Sequence, residues 1–286
     1  AASDVYKRQV LYVVATPMGN LADFSTRAVD VLRAVTQIYA EDTRHSASLM
    51  SHYSIPTPLR SLHEHNEEVR VEELLGLLLQ GQSLALISDA GTPLISDPGY
   101  KLVRGLRSHG IKISPVPGAC ALISALSVAG LPTDRFAFEG FLPAKGGPRK
   151  QRLDNLKKDP RTLVFYEAPH RIEETIEACA EVFGGDREAV VGREISKTFE
   201  TFLQGSLAEL LVQVREDSNQ QRGEIVLMVS GNKEDINADE LNLENTLSVL
   251  LQELPLSQAV SLAERLTGAS HKLLYKRALA LKKALD

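Results

Sequence analysis

Four short stretches of this chain carry side chains and backbone geometry able to hold a small polar ligand. The longest is Ser88-Asp89-Ala90-Gly91-Thr92-Pro93-Leu94-Ile95-Ser96-Asp97-Pro98-Gly99. Its glycines permit positive φ and close backbone approach, its prolines stiffen the chain between them, and Asp97 is placed to cap a helix that Pro98 begins. Thr16-Pro17-Met18-Gly19-Asn20, Glu41-Asp42-Thr43-Arg44 and Pro117-Gly118-Ala119-Cys120-Ala121 share this character. Other chemistries find no pattern. The first stretch lacks the three-glycine dinucleotide spacing, no Gly-Lys-Ser or Gly-Lys-Thr follows it, and Gly-x-Ser-x-Gly is absent. The seven histidines do not pair with the two cysteines at ligand spacing, so no metal site is expected. The four stretches read as cradles for a small polar molecule, although Gly, Pro and Asp also build ordinary connections.

The elements that must position them alternate. Val10 to Ala15, Ile38-Tyr39-Ala40, Leu84 to Ile87 and Ile111 to Val116 are apolar runs that read as buried strands, each ending where one of the cradles begins. Between them Ala28, Val29, Leu32 and Val35 recur at helical spacing. A second helix is expected from Asn66 to Leu79 with Val69, Leu74, Leu75 and Leu78 inward, and others after Asp97 and over Ala119 to Val128. This alternation implies a largely parallel sheet, and ligands bind such sheets at the carboxyl ends of their strands. Gly130-Leu131-Pro132-Thr133-Asp134 breaks the rhythm. A second α/β unit follows, with strands at Phe136 to Phe141, Thr162 to Tyr166, Ala189 to Val191, Phe199 to Leu203 and Glu224 to Val229, short and close enough to imply a mixed sheet. The polar stretch Asn232 to Asn245 reads as a linker merging into a helix. Beyond Pro255 the pattern is helical: Ala259, Leu262, Ala263 and Leu266 line one helix, Gly268-Ala269-Ser270 turns, and Leu273, Leu274, Ala278 and Leu281 line the next. This is either a helix-turn-helix or a plain helical hairpin. The expected domains are 10–132, 133–232 and 240–286.

Composition narrows the class. The globular apolar content and two cysteines, without a disulfide framework, suit a reducing compartment. No apolar stretch approaches the roughly 20 residues of a bilayer span, so a cytoplasmic protein that does not enter membranes is expected. The opening Ala1 to Gln9, without an initiator Met, is set aside as a tail or an artefact. The net charge of −5 argues against nucleic-acid binding over the whole surface. Lys145, Arg149, Lys150, Arg152, Lys157, Lys158 and Arg161 nevertheless crowd one segment, and Arg265, Lys272, Lys276, Arg277, Lys282 and Lys283 another. Such clusters supply either phosphate contacts or simply solvated helix faces.

Taken together, Ala15-Thr16-Pro17-Met18-Gly19-Asn20-Leu21, Ala40-Glu41-Asp42-Thr43-Arg44, Asp89-Ala90-Gly91-Thr92-Pro93 with Ser96-Asp97-Pro98-Gly99, Pro117-Gly118-Ala119 and Phe165-Tyr166-Glu167-Ala168-Pro169-His170-Arg171 give a chain that resembles the bacterial small-subunit ribosomal RNA cytidine 2′-O-methyltransferases. These belong to the tetrapyrrole-methylase-like superfamily. The resemblance runs from Val10 to the end and implies two α/β domains with S-adenosylmethionine in the cleft between them, a helical C-terminal segment, a homodimer, and 16S ribosomal RNA or the small subunit as partner. Carried onto this sequence, it implies that Pro17 and Gly19 close one side of the cleft, that Asp89, Ala90, Gly91, Leu94 and Ile95 line the donor, that Ala119 and Cys120 lie near it, and that Tyr166 and Glu167 reach in from the second domain. Freed backbone groups would pair with the donor's polar edges, and carboxylates would balance its sulfonium.

Methyl transfer to a ribose hydroxyl is an in-line displacement governed by alignment, and a base assists because the protonated hydroxyl is a poor nucleophile. Glu41, Asp42 and Lys197 are the leading candidates, with His63 and Glu167 beside them. Glu41 and Asp42 equally fit a strand-end cap with a local ion pair. Arg44, Lys145, Arg149, Lys150, Arg171, Lys272, Lys276 and Arg277 are candidate RNA contacts, although Arg171 and Arg193 also have Glu167 and Glu194 as neighbours. Two rivals remain: a tetrapyrrole methylase, disfavoured by the basic segments and by a first loop that is not Gly-rich, and a noncatalytic RNA-binding assembly factor, disfavoured by the intact set of donor loops.

Overall fold

The structure is a computed structural model, and it describes residues 9–63, 67–232 and 234–285, without the side chains of 68, 234–242 and 283–285. Most of the opening tail, residues 64–66 with the expected helix start at Asn66, and the Lys283 side chain lie outside what is described. The chain forms two compact units: one runs to Leu153 and resumes over Thr162–Val229, and the other comprises Asp154–Arg161 with the chain from Ser230 on.

The first unit contains two sheets. In chain order the elements are β1 (Val10–Val14), α1 (Thr26–Ala34), β2 (Gln37–Ala40), α2 (Thr43–His52), β3 (Leu59–Ser61), α3 (Glu67–Leu79), β4 (Leu84–Ile87), α4 (Tyr100–Ser108), β5 (Lys112–Val116) and α5 (Ala121–Val128). Their strands make a wholly parallel sheet of order β3-β2-β4-β1-β5. Such a sheet is buried on both faces, which explains continuous apolar runs such as Leu84-Ala85-Leu86-Ile87. Val14, Ile38 and Ala85 pack on one face with α1 and α2, and Leu11, Tyr39 and Leu86 on the other with α3 and α4.

The second sheet uses β6 (Phe136–Phe141), α6 (Gly146–Leu156), β7 (Thr162–Glu167), α7 (Ile172–Phe183), β8 (Glu188–Arg193), β9 (Thr201–Ser206), α8 (Leu207–Glu216) and β10 (Ile225–Val229). Its order is β6-β7-β10-β8-β9, parallel only between β6 and β7, so it is mixed as the short neighbouring strands imply. Strand β10, last in sequence, takes the central place. All five of its residues, Ile-Val-Leu-Met-Val, are buried.

In the second unit α9 (Glu234–Glu253), α10 (Leu256–Thr267) and α11 (His271–Leu285) pack around Leu247, Val260, Ala263, Leu274 and Ala278. Gly268, at φ 70°, ends α10 in the left-handed conformation that favours glycine. The polar stretch expected to begin as a linker is helical from Glu234. Three inward assignments also fail, since Val69 is 74% exposed, Leu266 65% and Leu273 41%. Each lies at the margin of its apolar stripe, where periodicity alone places the buried arc to within about one residue.

Candidate active site

The carboxyl ends of β1, β2, β4 and β5 carry the four sequence cradles, and hydrogen bonds lace all four together. Thr16 N–H donates to Gly91 O at 2.9 Å and Gly91 N–H returns to Thr16 O at 3.1 Å. The Thr16 hydroxyl donates to Ser88 O at 3.2 Å and that of Thr92 to Ala119 O at 2.9 Å. The longest loop is bent hard: Gly91, Leu94, Ser96 and Gly99 all have positive φ. A β-carbon on Gly99 (φ 125°) would lie 3.0 Å from Leu86 Cδ2, so both backbone angle and space require glycine there. For Leu94 and Ser96 the same angles are strained, and such strain persists only where surrounding contacts fix it.

Asp97 does not cap the helix that follows. Helix α4 begins after Gly99, and its first amides are met by Glu67, whose carboxylate accepts from Gly99 N–H at 2.8 Å and Lys101 N–H at 3.0 Å. Asp97 is thereby left to a cavity of about 490 Å³. The first sheet's loops supply Met18, Glu41, Asp89 to Thr92, Ile95 to Asp97 and Cys120. The second sheet supplies the opposite wall through Phe141, Tyr166 to Pro169, Ile195 and Gly223 to Val226.

On the first sheet's side three carboxylates, Glu41, Asp89 and Asp97, line this cavity, and Glu167 and Glu224 stand in the opposite wall. Burial pushes Asp97 up to about 6, aided by the negative charges of Glu41 and Asp89 and opposed by a hydrogen bond from the Ser88 hydroxyl. Burial also raises Glu41, with Asp89 and Asp42 adding to it. Asp89 is fixed by accepting Asp42 N–H at 3.2 Å. Like charges held together in a part-apolar hollow favour a cationic guest, because a cation offsets their mutual repulsion.

The second wall is braced from behind. Glu167, 2% exposed, accepts from the Thr175 hydroxyl at 2.6 Å and from Ala168 N–H at 2.8 Å, and pairs with Arg171 Nε at 3.3 Å. Tyr166 accepts Leu122 N–H at 3.1 Å from the first turn of α5. Burial above all raises its phenol to about 12, so it remains protonated. Phe138 meets its ring edge-on at 4.8 Å.

Asp89, Ala90, Gly91, Ile95, Cys120, Tyr166, Glu167 and Glu41 thus converge on one cavity, and other expected site residues lie elsewhere. Leu94 packs with Leu86 and Leu102 in the core, because its positive φ turns it inward. Pro17 and Gly19 border a separate hollow with α2, and Ala119 another. Asp42 is a cap: its Oδ1 accepts from Arg44 N–H at 2.8 Å and His45 N–H at 3.4 Å, which lowers its pKa. Lys197 pairs with Glu194 at 2.9 Å and Glu224 at 3.2 Å. Burial works to lower its pKa, but these carboxylates raise it overall and so favour the charged ammonium.

Among the expected RNA contacts, Arg149 is 3% exposed and donates to Ala144 O at 2.9 Å and Glu174 at 3.1 Å. Arg171 bonds Leu142 O at 2.7 Å as well as pairing with Glu167. Both are internal braces; the Glu167 partner of Arg171 lies four residues away and is legible in the sequence, whereas the Glu174 partner of Arg149 lies 25 residues away and is not. Arg44, Lys145, Lys150, Lys272 and Lys276 are exposed, and Arg277 lies 3.7 Å from Glu244. The sequence reading missed Asp97 as a cavity residue, along with Met18, Thr92, Ile195 and the segment Gly223 to Val226. The glycine at 223 was the one local sign of the last.

Two α/β sheets with a carboxylate-lined cavity between them, the first offering its strand-end loops, define the class to which the comparisons also lead. Residues 10–211 match the family described as Tetrapyrrole (Corrin/Porphyrin) Methylases, and residues 237–282 match the RsmI C-terminal HTH domain. The chain is 55% identical over 274 residues to the ribosomal RNA small subunit methyltransferase I of Pseudomonas aeruginosa, covering 94% of this chain and 96% of that protein. It is 51% identical over 272 residues to the protein of that name from Escherichia coli O157:H7, covering 94% of each. The crystal structure of the cobalt precorrin-4 methyltransferase CbiF, at 15% identity, shares the fold with a TM-score of 0.59 over 78% of this chain and 95% of that one. The chain belongs to the tetrapyrrole methylase family and, within it, to the ribosomal RNA small subunit methyltransferase I group.

Proposed function

We propose that the chain is an S-adenosylmethionine-dependent methyltransferase that modifies the 2′-oxygen of a cytidine ribose in 16S ribosomal RNA. The observation that carries this is the cavity where Glu41, Asp89 and Asp97 converge beneath the laced loops, in a chain half identical to small-subunit ribosomal RNA methyltransferases. The residues fit the donor: carboxylates for a sulfonium, exposed loop amides for its polar edges, and Met18, Ile195 and Val226 for its apolar parts. When bound, S-adenosylmethionine supplies the electrophilic methyl group. Asp89 and Asp97 hold the cation, Tyr166 and Glu167 fix the far wall, and water is displaced from between the two sheets. Glu41, whose proton affinity is raised by burial, is placed to accept the proton of the 2′-hydroxyl.

In this reading residues 10–132 and 133–232 are the two methylase lobes and 240–286 the helical domain. Arg44, Lys145, Lys150, Lys272, Lys276 and Arg277 supply phosphate contacts. The protein works as a cytoplasmic homodimer, consistent with the absence, among the described residues, of a helix able to cross a membrane. The test is incubation with labelled donor and either naked 16S RNA or small subunits lacking the modification, followed by mass mapping. Label on one cytidine ribose is expected. RNA retained without label would leave only a binding factor, and label on a porphyrinogen but not on RNA would leave a small-molecule methylase.

A further inference from the structure

Two hollows border the donor cavity, and their linings differ. One, of about 470 Å³, shares Met18 and Ile195 with it, and its charged groups are the carboxylates Asp23 and Glu200. The other, of about 340 Å³, shares Asp89 with it and lies between the loop after β1 and helix α2. That volume falls within the roughly 300–1,000 Å³ of small-ligand pockets. Pro17, Leu21 and Leu49 give it apolar walls, while His45, Ser48 and His52 give it hydrogen-bonding groups.

We propose that this second hollow receives the acceptor nucleoside, with the base against the apolar walls and the ribose directed toward Asp89. The proposal rests on the methyltransferase reading and names the place of its substrate. Transfer requires the acceptor oxygen in line with the donor, so the nucleoside must occupy a space that shares a wall with the donor cavity. Both hollows do. Both combine apolar surface with hydroxyl groups, but the second adds two imidazoles, His45 and His52, able to read the edges of a base taken out of its stack. The first would set two carboxylates against an RNA backbone.

The second hollow is also built to keep its shape. The Tyr53 hydroxyl donates to Leu21 O, tying α2's end to the opposite wall. The Tyr53 ring meets His52 edge-on at 4.8 Å and Phe24 at 5.1 Å, so the imidazole is held from behind. Arg44, next in the chain to His45, is 92% exposed and lies 3.4 Å from Asp42, a loose pairing that a phosphate can replace.

The test fills each hollow in turn. Ser48 and Ser127 are both exposed, so Ser48→Trp and Ser127→Trp place an indole in the second and first hollow respectively without touching the core. Label transfer to small subunits lacking the modification gives KM and kcat, and calorimetry gives donor affinity. Ser48→Trp is expected to raise acceptor KM about tenfold or more with donor affinity within about twofold, and Ser127→Trp to leave both unchanged. His52→Ala, which removes a wall without adding bulk, is expected to raise KM about fivefold. Unchanged KM in both Ser48→Trp and His52→Ala, or a rise confined to Ser127→Trp, would overturn the assignment while transfer by the unaltered chain upheld the broader reading. No transfer by the unaltered chain would overturn both.

Discussion

The two sheets reach the same cavity by different means. The parallel sheet does so through loops: its strands stop short, and the chemistry is carried by bends such as Asp89 to Gly99, held by Thr16–Gly91 pairing and by positive φ at four positions. The mixed sheet adds to its own loop residues, Ala168, Pro169, Ile195 and Gly223, the strand residues Tyr166, Glu167, Ile225 and Val226, backed by a polar frame of Glu167, Thr175, Arg149 and Arg171. A loop wall is tuned by backbone geometry and is sensitive to added atoms. A strand wall is tuned by what lies behind it and is sensitive to deleted ones.

The largest effect that would break this contrast is therefore a deletion in the frame. Arg149→Ala leaves Glu174, the Thr175 hydroxyl and the Pro143 and Ala144 carbonyls without their cation. The loss expected is about 2–3 kcal/mol, measured by urea unfolding of the full chain: Glu174 is 71% exposed and water takes over its charge, but the Thr175 hydroxyl and the two carbonyls lose hydrogen bonds to a charged group, worth about 1.5–3 kcal/mol. A loss below about 1 kcal/mol would show that the second wall does not depend on its backing. The next effect is an addition to the loop. Gly99→Ala places a β-carbon 3.0 Å from Leu86 Cδ2 at φ 125°, for an expected cost of about 2 kcal/mol. Gly110→Ala, also at positive φ but with open space around it, separates the steric part from the backbone part.

The same contrast explains what the sequence made legible. Parallel strands announce themselves as continuous apolar runs, and the loops that follow them concentrate Gly, Pro and Asp, so the positions of Asp89, Gly91 and Glu41 at one sheet edge followed from periodicity alone. The roles of single residues did not. Asp97-Pro98 is a good helix start by local rules, but Glu67 satisfies the amides of α4 from 32 positions earlier in the chain, and its help is what leaves Asp97 for the cavity. Helix α2 and strand β3 escaped because Thr43 to His52 has only Ser46 and Met50 buried and β3 has three residues. Arg149 sat in a basic run that reads as solvated surface, and only the folding of α6 onto α7 shows that it points inward. Strand β10 was visible as a strand, but its place between β7 and β8 is set by long-range pairing that no window of sequence contains.

Within the loop wall, charge offers a sharper probe than shape. Asp89→Ala removes one of three converging carboxylates and the acceptor for Asp42 N–H. Donor affinity is expected to fall about thirtyfold, roughly 2 kcal/mol for a lost charged interaction, while RNA affinity changes by less than about twofold. An unchanged donor affinity would remove Asp89 from the donor's surroundings. A milder change comes from pH. Asp97 ionises near pH 6 in the folded protein, and a cation binds its charged form. Lowering the pH through 6 protonates it, so donor affinity should fall by about tenfold between pH 7 and pH 5. Asp97→Asn should flatten that dependence. A profile equally steep in the variant would assign the proton to another group.

The smallest expected effect tests the contrast at adjacent residues. Lys150 neighbours Arg149 on α6, but it points to solvent, 3.5 Å from Glu181 with both side chains about 60% exposed. An ion pair in that setting contributes about 0–1 kcal/mol, since water already solvates both charges and holding two long side chains costs entropy. Lys150→Ala should thus leave the unfolding midpoint nearly unchanged where Arg149→Ala shifts it strongly. If Lys150 meets a phosphate, its loss should weaken RNA binding a few-fold and reduce the slope of log affinity against log salt by about 1, with donor affinity unaffected. An unaltered salt slope would make this face of α6 a solvated surface, and phosphate contact would then fall to the other exposed candidates, Arg44, Lys145, Lys272 and Lys276.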